Sequence, residues 1–205
     1  MRSGATSTVA TAMRITVVHA HPSPNSFSRS LFRTVLEALD GHDIDVCNLY
    51  DDGFDPVLSE EEHCGYLAEN PVRDPLVARY ISFVERAEAI VFVYPTWWAG
   101  LPAILKGWFD RVLVPGVAFA LDENDRLRPQ MGHVRRLAGV TTYGSSRAVI
   151  ALTADGGRRT ISRTLRVATG FRSRVTWLGL HRMDTATAAE RAAYLERVRR
   201  EFSSW

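Results

Sequence analysis

The apolar positions of this chain fall into short continuous runs and into longer segments with helical spacing. The most apolar run, residues 89–94, contains no glycine or proline and predicts a strand buried on both faces. Proline has no N–H for a sheet ladder, so we expect Pro95 to end this strand. In the next segment, 101–112, four apolar residues recur at helical spacing and predict a helix: Ile104, Leu105, Trp108 and Val112.

Four more apolar runs predict further strands, and amphipathic segments between them predict helices. The expected strands span 14–20, 44–50, 136–142 and 175–180, with the second at an edge of the sheet. We expect helices that begin near Ser26 or Ser28 and at Ser59, and helices over 74–87, 158–169 and 187–202. Segment 113–131 is interpreted as a hairpin or a lid. This alternation predicts an α/β fold, a three-layer sandwich around a parallel five-stranded sheet.

Composition indicates one soluble domain, with 46% hydrophobic and 23% charged residues. The net charge of +2 is too small to favour nucleic acid or a membrane surface as a partner, and no apolar run is long enough to insert into a membrane. Cys47 and Cys64 lack the spacing of a metal site or a disulfide framework, so we expect no metal and a cytoplasmic location. We interpret residues 1–13 as a disordered N-terminal tail before a domain at 14–205, or as an over-long start with Met13 as the initiator.

Three predicted loops follow the carboxyl ends of strands, where open α/β sheets bind ligands. Loop 20–28 leads into a helix N-terminus, which offers backbone N–H groups to a phosphate, although an ordinary capped helix gives the same pattern. Loop 95–100 carries Trp97 and Trp98, and loop 142–147 carries Gly144 and two serines that can bind an anion. A ligand with a phosphate and a planar ring, such as flavin mononucleotide (FMN) in a flavodoxin-like sheet, would contact all three loops.

The sequence YPTWWAGLPAILKGWFDRV at 94–112 resembles the signature of the NAD(P)H:quinone oxidoreductase family of flavodoxin-like proteins. His21 with residues 26–28 resembles that family's N-terminal flavin loop, and residues 141–144 resemble its Thr-Thr-Gly-Gly loop. The similarity extends over roughly residues 14–180 and includes the shorter bacterial members. It implies the flavodoxin-like strand order 2-1-3-4-5.

The resemblance implies a flavoprotein with FAD or FMN that takes electrons from NADPH or NADH and passes them to quinones or similar acceptors. The transfer would be a two-electron, ping-pong hydride transfer, and the protein would be a homodimer whose partner chain completes the site. By position, the flavin phosphates would be bound by His21, Ser26, Phe27 and Ser28. The isoalloxazine ring would lie against Pro95, Thr96, Trp97 and Trp98. The pyrimidine end of the ring would be bound by Thr142, Tyr143, Gly144 and Ser145.

The third loop differs from that of the best-studied mammalian members. Tyr143 replaces the first glycine, and segment 147–152 lacks the tyrosine and histidine that help to handle the proton of the reduced flavin. Tyr143 is therefore a candidate proton donor, and packing of its ring on the flavin is the alternative role. Backbone N–H groups of Gly144 and Ser145 would stabilise negative charge on the reduced ring.

Three other functions fit the same residues. One is an ancillary flavoprotein subunit of a potassium-efflux-type transporter, a role that some shorter bacterial members have. Another is an azo- or nitroreductase, because such enzymes use a similar site. The third is a flavodoxin-type carrier, which the net charge of +2 disfavours because such carriers are usually acidic. The pattern leaves FAD and FMN, and NADH and NADPH, as alternatives.

Overall fold

The computed structural model describes residues 12–68 and 74–205. Its central sheet has five parallel strands, β1 (Arg14–His19), β2 (Asp43–Asn48), β3 (Ala89–Thr96), β6 (Arg136–Tyr143) and β7 (Arg174–Leu180). The remaining strands, β4 (Phe119–Leu121) and β5 (Leu127–Pro129), form a separate antiparallel hairpin. The sheet order is β2-β1-β3-β6-β7, which is 2-1-3-4-5 when only the sheet strands are counted. The predicted fold and strand order are confirmed.

Helices cover both faces of the sheet. They are α1 (Phe27–Ala38), α2 (Glu60–Cys64), α3 (Pro75–Arg86), α4 (Ala103–Val112), α5 (Arg147–Leu152), α6 (Gly156–Arg159), α7 (Leu165–Ala168) and α8 (Ala188–Phe202). A π-helical turn, Thr160–Thr164, joins α6 to α7, and a 3₁₀ turn, Met183–Thr185, precedes α8. Within the described ranges, no helix has both the length and the apolar content needed to cross a membrane.

Two cores form because successive residues of a buried strand point to opposite faces of the sheet. On β3, Val91 and Val93 pack with α1 and α8, whereas Ile90 and Phe92 pack with α3, α4 and the π turn. Trp108 lies in the second of these cores and is fully buried, as its helical spacing predicts. The sheet is therefore the middle layer of three.

The strand β3 does not end at Pro95, as the sequence had suggested, but continues to Thr96. Its neighbour β1 ends at His19, opposite Val93, and the N–H of Ala20 donates to the Val93 carbonyl. Alternate residues of a parallel strand direct their backbone groups to the same neighbouring strand, so Pro95, two residues after Val93, also faces β1. At this position β1 has already ended. The missing N–H of Pro95 therefore costs the sheet no hydrogen bond, and the predicted strand end was wrong.

The chain around residues 12–14 is part of the fold. The N–H of Met13 donates to His42 Nδ1 at 3.1 Å, and the Met13 carbonyl accepts from the N–H of Asp43 at 3.0 Å. The predicted tail otherwise falls on residues 1–11, which lie outside the described residues. The short helix expected at Ser59 is present as α2, where Ser59 and Glu62 form a reciprocal capping box.

Candidate functional site

The carboxyl ends of β1, β3 and β6 bring the three predicted loops together. Thr96 at the end of β3 pairs with Tyr143 at the end of β6, and the Thr96 and Thr141 hydroxyl oxygens lie 2.9 Å apart. The ring centroids of His21, in the first loop, and Trp97, in the second, are 6.2 Å apart. The sequence-based grouping of these loops therefore corresponds to one surface.

The double-tryptophan segment is a tight turn closed by two hydrogen bonds between Trp97 and Gly100, of 3.3 and 2.9 Å. Its central residues, Trp98 and Ala99, have φ angles of 49° and 53°, the left-handed conformation that a type I′ turn requires. This conformation is uncommon for residues with side chains and is often found at ligand sites. The N–H of Gly156 donates to the Ala99 carbonyl at 2.7 Å and holds the turn in place.

The turn leaves both indoles accessible. Trp98 is fully exposed and Trp97 is 42% exposed, although large aromatic side chains are usually buried. Beside them lies an open cavity of about 950 Å³. Six of the predicted site residues line it: Thr96, Trp97, Trp98, Tyr143, Gly144 and Ser145. Four further lining residues were not predicted as site residues: Ala99, Val149, Ile150 and Thr153. Pro95 and Thr142 are buried in the strands beneath and do not line it.

The first loop presents the N-terminus of α1. Ser26 is the N-cap: its hydroxyl accepts from the N–H of Arg29 at 3.1 Å. The N–H groups of Phe27 and Ser28 donate to no group of the described chain, as expected for the first turn of a helix. The Ser28 hydroxyl is buried and lies 3.4 Å from His19 Nε2. The Ser26 and Ser28 hydroxyls are therefore engaged within the chain, and the backbone N–H groups of Phe27 and Ser28 are the donors that this helix end offers to a phosphate.

His21 lies between the α1 N-terminus and the tryptophan turn. Its Nδ1 accepts a hydrogen bond from the N–H of Ser23 at 3.0 Å. Partial burial lowers the pKa of His21, and the nearby Arg29 guanidinium lowers it further. His21 is thus a polar but uncharged neighbour for the tryptophan turn at neutral pH.

The third loop offers backbone donors from an exposed position. Gly144 and Ser145 are exposed, and their N–H groups donate to no group within residues 12–68 and 74–205. A Cβ atom on Gly144 would lie 2.7 Å from Asp184 Oδ2, so the 3₁₀ turn leaves room only for glycine unless Asp184 moves. Together with the exposed indoles, these donors fit a flat ring that carries polar edge atoms.

Tyr143 does not have the surroundings of a proton donor. Its side chain is buried, its hydroxyl donates to Asp155 Oδ2 at 2.6 Å, and it accepts from Trp177 Nε1 at 3.0 Å. Burial and the Asp155 carboxylate raise the pKa of Tyr143. The hydroxyl is thus engaged by Asp155 and Trp177. We withdraw the proton-donor role and retain Tyr143 as a wall of the cavity.

His181 stacks on Tyr143, with ring centroids 4.4 Å apart and an interplanar angle of 6°. Burial and the Arg147 guanidinium lower the pKa of His181. His181 was not among the predicted site residues, because it lies outside segment 147–152, where the family resemblance placed the corresponding histidine. The rule that identified the other loops would have found it, because His181 follows the carboxyl end of β7 directly.

Comparison with known proteins assigns the chain to a family. The family described as having a flavodoxin-like fold matches residues 13–204. The chain belongs to this family. Among solved structures, this flavodoxin-like chain is similar to the NAD(P)H:quinone oxidoreductase from Methanothermobacter marburgensis, with a TM-score of 0.79, 29% identity, and coverage of 94% of this chain and 98% of the other.

Two curated relatives align with part of the flavodoxin-like chain. An uncharacterized NAD(P)H oxidoreductase of Haemophilus influenzae is 35% identical over 112 residues, which cover 53% of this chain and 54% of the relative. NAD(P)H dehydrogenase [quinone] 1 of Cavia porcellus is 32% identical over 128 residues, which cover 54% of this chain and 46% of the relative. The chain therefore spans about half the length of the curated relatives it matches.

Proposed function

We propose that this protein is a flavin-dependent NAD(P)H oxidoreductase that reduces quinones or similar acceptors. The observation that carries the proposal is the cavity at the strand ends, where exposed indoles and unengaged backbone N–H groups face the same space. Relatives named as NAD(P)H-dependent and quinone-reducing enzymes support the choice of donor and acceptor. Bound flavin would supply the two-electron chemistry, and FAD and FMN both fit the proposal.

The residues have separate roles in this proposal. The N–H groups of Phe27 and Ser28 bind a flavin phosphate at the positive end of the α1 dipole. Trp97 and Trp98 provide the flat apolar walls that hold a ring and exclude water. The backbone N–H groups of Gly144 and Ser145, which donate to no described residue, would hold the polar edge of the flavin ring and favour negative charge there. We assign no side chain as a proton donor.

We further propose that a second copy of the chain covers the cavity. Trp97, Trp98 and Val149 line the cavity, all three are more than 40% exposed, and the neighbouring Leu152 is 87% exposed. Clustered exposed apolar side chains commonly mark an interface. A homodimer would bury them and would narrow an otherwise open site.

Steady-state kinetics tests the proposed function. The flavin-saturated protein should oxidise NADPH or NADH with a quinone as acceptor, and varying both substrates should give the parallel double-reciprocal lines of a ping-pong enzyme. Azo and nitro compounds, assayed in parallel, test the alternative acceptors. A flavin-loaded protein that turns over none of these acceptors with either donor would contradict the proposal and favour a regulatory subunit.

A further inference from the structure

A second cavity, of about 790 Å³, lies beside the candidate flavin site. It is formed between α5, the helical segment 156–168, β7 and α8. Tyr143 and Ile150 line both cavities, so the two are neighbours. Six arginines line the second cavity, which we call the arginine pocket: Arg147, Arg158, Arg159, Arg163, Arg166 and Arg197. A quarter of the 24 arginines of a chain with net charge +2 therefore faces one concave surface.

The positive charge of the arginine pocket is not compensated by carboxylates. Asp155 is the only acidic residue in the described lining, and it is already engaged by the Tyr143 hydroxyl and the N–H of Arg158. None of the six arginines forms an ion pair with a described residue, whereas Arg29 and Arg111 elsewhere in the fold do. Glu190 lines an adjacent cavity, where its carboxylate accepts from the N–H and the hydroxyl of Thr187.

Gathering these guanidinium groups has an energetic cost. Arg158 and Arg159 lie in α6, close to the amino-terminal end of the helical segment, where positive side chains oppose the helix dipole. Arg159 and Arg163 are four residues apart, a spacing at which like charges on a helix repel each other. Arg166 Nε is buried and has no hydrogen-bond acceptor among the residues that the structure describes. Binding of an anion would offset the first two of these costs.

The chemistry of the lining favours a polyphosphate over other anions. Guanidinium groups bind phosphate oxygens in pairs of parallel hydrogen bonds, and six of them exceed what a single carboxylate or monophosphate can engage. The Trp177 indole provides one flat wall, with the Arg158 guanidinium 5.7 Å from its ring centroid. The volume is in the range of small-molecule sites.

We propose that the arginine pocket binds the diphosphate or oligophosphate group of a phosphorylated ligand. The ligand can be the NAD(P)H donor, whose phosphates would reach the pocket while the nicotinamide lies at the candidate flavin site, or a separate phosphorylated molecule. The first source rests on the proposed function, but the pocket itself does not. A ligand there would also affect the flavin site, because Asp155 precedes Gly156, whose N–H holds the tryptophan turn.

Calorimetric titration with inorganic pyrophosphate at low ionic strength tests the pocket. We expect binding by the wild-type protein and a dissociation constant at least about 10-fold higher in the double variant Arg158→Gln with Arg163→Gln. The matched control, Arg33→Gln with Arg200→Gln, removes the same charge from exposed helix positions outside the pocket and should change the constant by less than about 2-fold.

Two outcomes would overturn the proposal. One is the absence of pyrophosphate binding at millimolar concentration, and the other is an equal loss of binding in the pocket and control variants. If the double variant Arg158→Gln with Arg163→Gln fails to fold, the double variant Arg147→Gln with Arg159→Gln gives the same test. The titration needs no flavin, so a protein that binds pyrophosphate but no flavin would contradict the proposed function and support the pocket.

Competition distinguishes the two sources of phosphate. If the NAD(P)H donor occupies the pocket, pyrophosphate should inhibit competitively against NADPH. The double variant Arg158→Gln with Arg163→Gln should then have a higher KM for NADPH than the wild type. If a separate ligand occupies it, saturating NADP⁺ should leave the pyrophosphate titration unchanged. Both results support the pocket, and each identifies a different occupant.

Discussion

At the scale of single residues, Trp98 is the clearest evidence that the strand-end surface binds something. A fully exposed indole in a left-handed conformation contributes little to packing, so selection for stability does not explain it. Sequence reasoning placed both tryptophans at the site because the turn follows a buried strand. It could not show that both would be accessible, since exposure depends on the φ angles of residues 98 and 99.

Trp98→Ala should weaken flavin binding about 10-fold or more while leaving the melting temperature nearly unchanged, because the side chain stacks on the ligand and not on the core. Fluorescence titration with FMN and FAD measures the affinity, and thermal denaturation of the apoprotein measures stability. Phe171→Ala, which shortens an exposed aromatic side chain outside the cavity, is the matched control. Unaltered flavin affinity in Trp98→Ala would contradict the assigned role.

Tyr143 and Tyr94 are both buried, but only the Tyr143 hydroxyl has hydrogen-bond partners among the described residues. Tyr143→Phe removes a hydroxyl that bonds Asp155 and Trp177, and should lower the free energy of unfolding by about 1–3 kcal/mol. Tyr94→Phe removes a buried hydroxyl without a partner among the described residues, and should change stability by less than about 0.5 kcal/mol or raise it. Urea denaturation measures both, and equal losses would contradict the hydrogen-bond network.

His19 should make stability depend on pH. Burial lowers its pKa to about 4 from the ordinary value of 6.5, although the hydrogen bond with Asn48 acts in the opposite direction. The unfolded chain therefore binds the proton more readily, and stability present above pH 6.5 is lost as the pH falls towards 4. Between pH 7 and pH 4.5 the loss from His19 should be about 2 kcal/mol.

The comparison for His19 is the variant His19→Gln, whose unfolding free energy should fall less than that of the wild type over the same pH range. His63→Gln, at an exposed position, should retain the wild-type slope. Chemical denaturation at pH 7, 5.5 and 4.5 provides the data. An identical pH dependence in His19→Gln and the wild type would show that His19 is already charged in the folded protein, against the expectation.

At the scale of elements, the helices and strands could largely be predicted, and the errors have local physical causes. The apolar run of β3 predicted a buried strand, but its end was misplaced because the missing N–H of Pro95 faces a side without a neighbour. The helix expected at 158–169 begins earlier and contains a π turn, Thr160–Thr164, that hydrophobic spacing does not reveal. The segment 113–131 contains the hairpin that was one of its two interpretations.

Gly107 in α4 is required by the packing of a neighbouring loop. A Cβ atom there would lie 2.2 Å from the Pro56 carbonyl oxygen, so Gly107→Ala should destabilise by at least about 1 kcal/mol despite alanine's higher helix propensity. Gly132→Ala is the control, because its nearest contact is the flexible Arg172 side chain at 3.4 Å. Thermal denaturation of both variants measures the change in stability. A Gly107→Ala variant more stable than the wild type would show that the loop around Pro56 moves freely and would contradict this account.

At the scale of the whole molecule, the sheet order and the convergence of three loops follow from the alternation of strands and helices. The contacts that join distant segments could not be predicted, because a single sequence carries no signal for them. Tyr143 meets Trp177 and His181 from the next strand and loop, and the arginine pocket is assembled from four separate elements. In the sequence, its arginines are spread over residues 147–197 without a basic run longer than two, so the pattern does not mark them as one group.

The most direct test of a flavin-dependent reductase is an absorbance spectrum of the protein, reconstituted with FMN or FAD, before and after anaerobic addition of NADPH or NADH. We predict bound-flavin bands that bleach with the nicotinamide and return when a quinone is added. A protein that retains neither flavin would contradict the assignment of the strand-end cavity. Bands that bleach with dithionite but with neither nicotinamide would contradict the reductase function and leave a flavoprotein with another role.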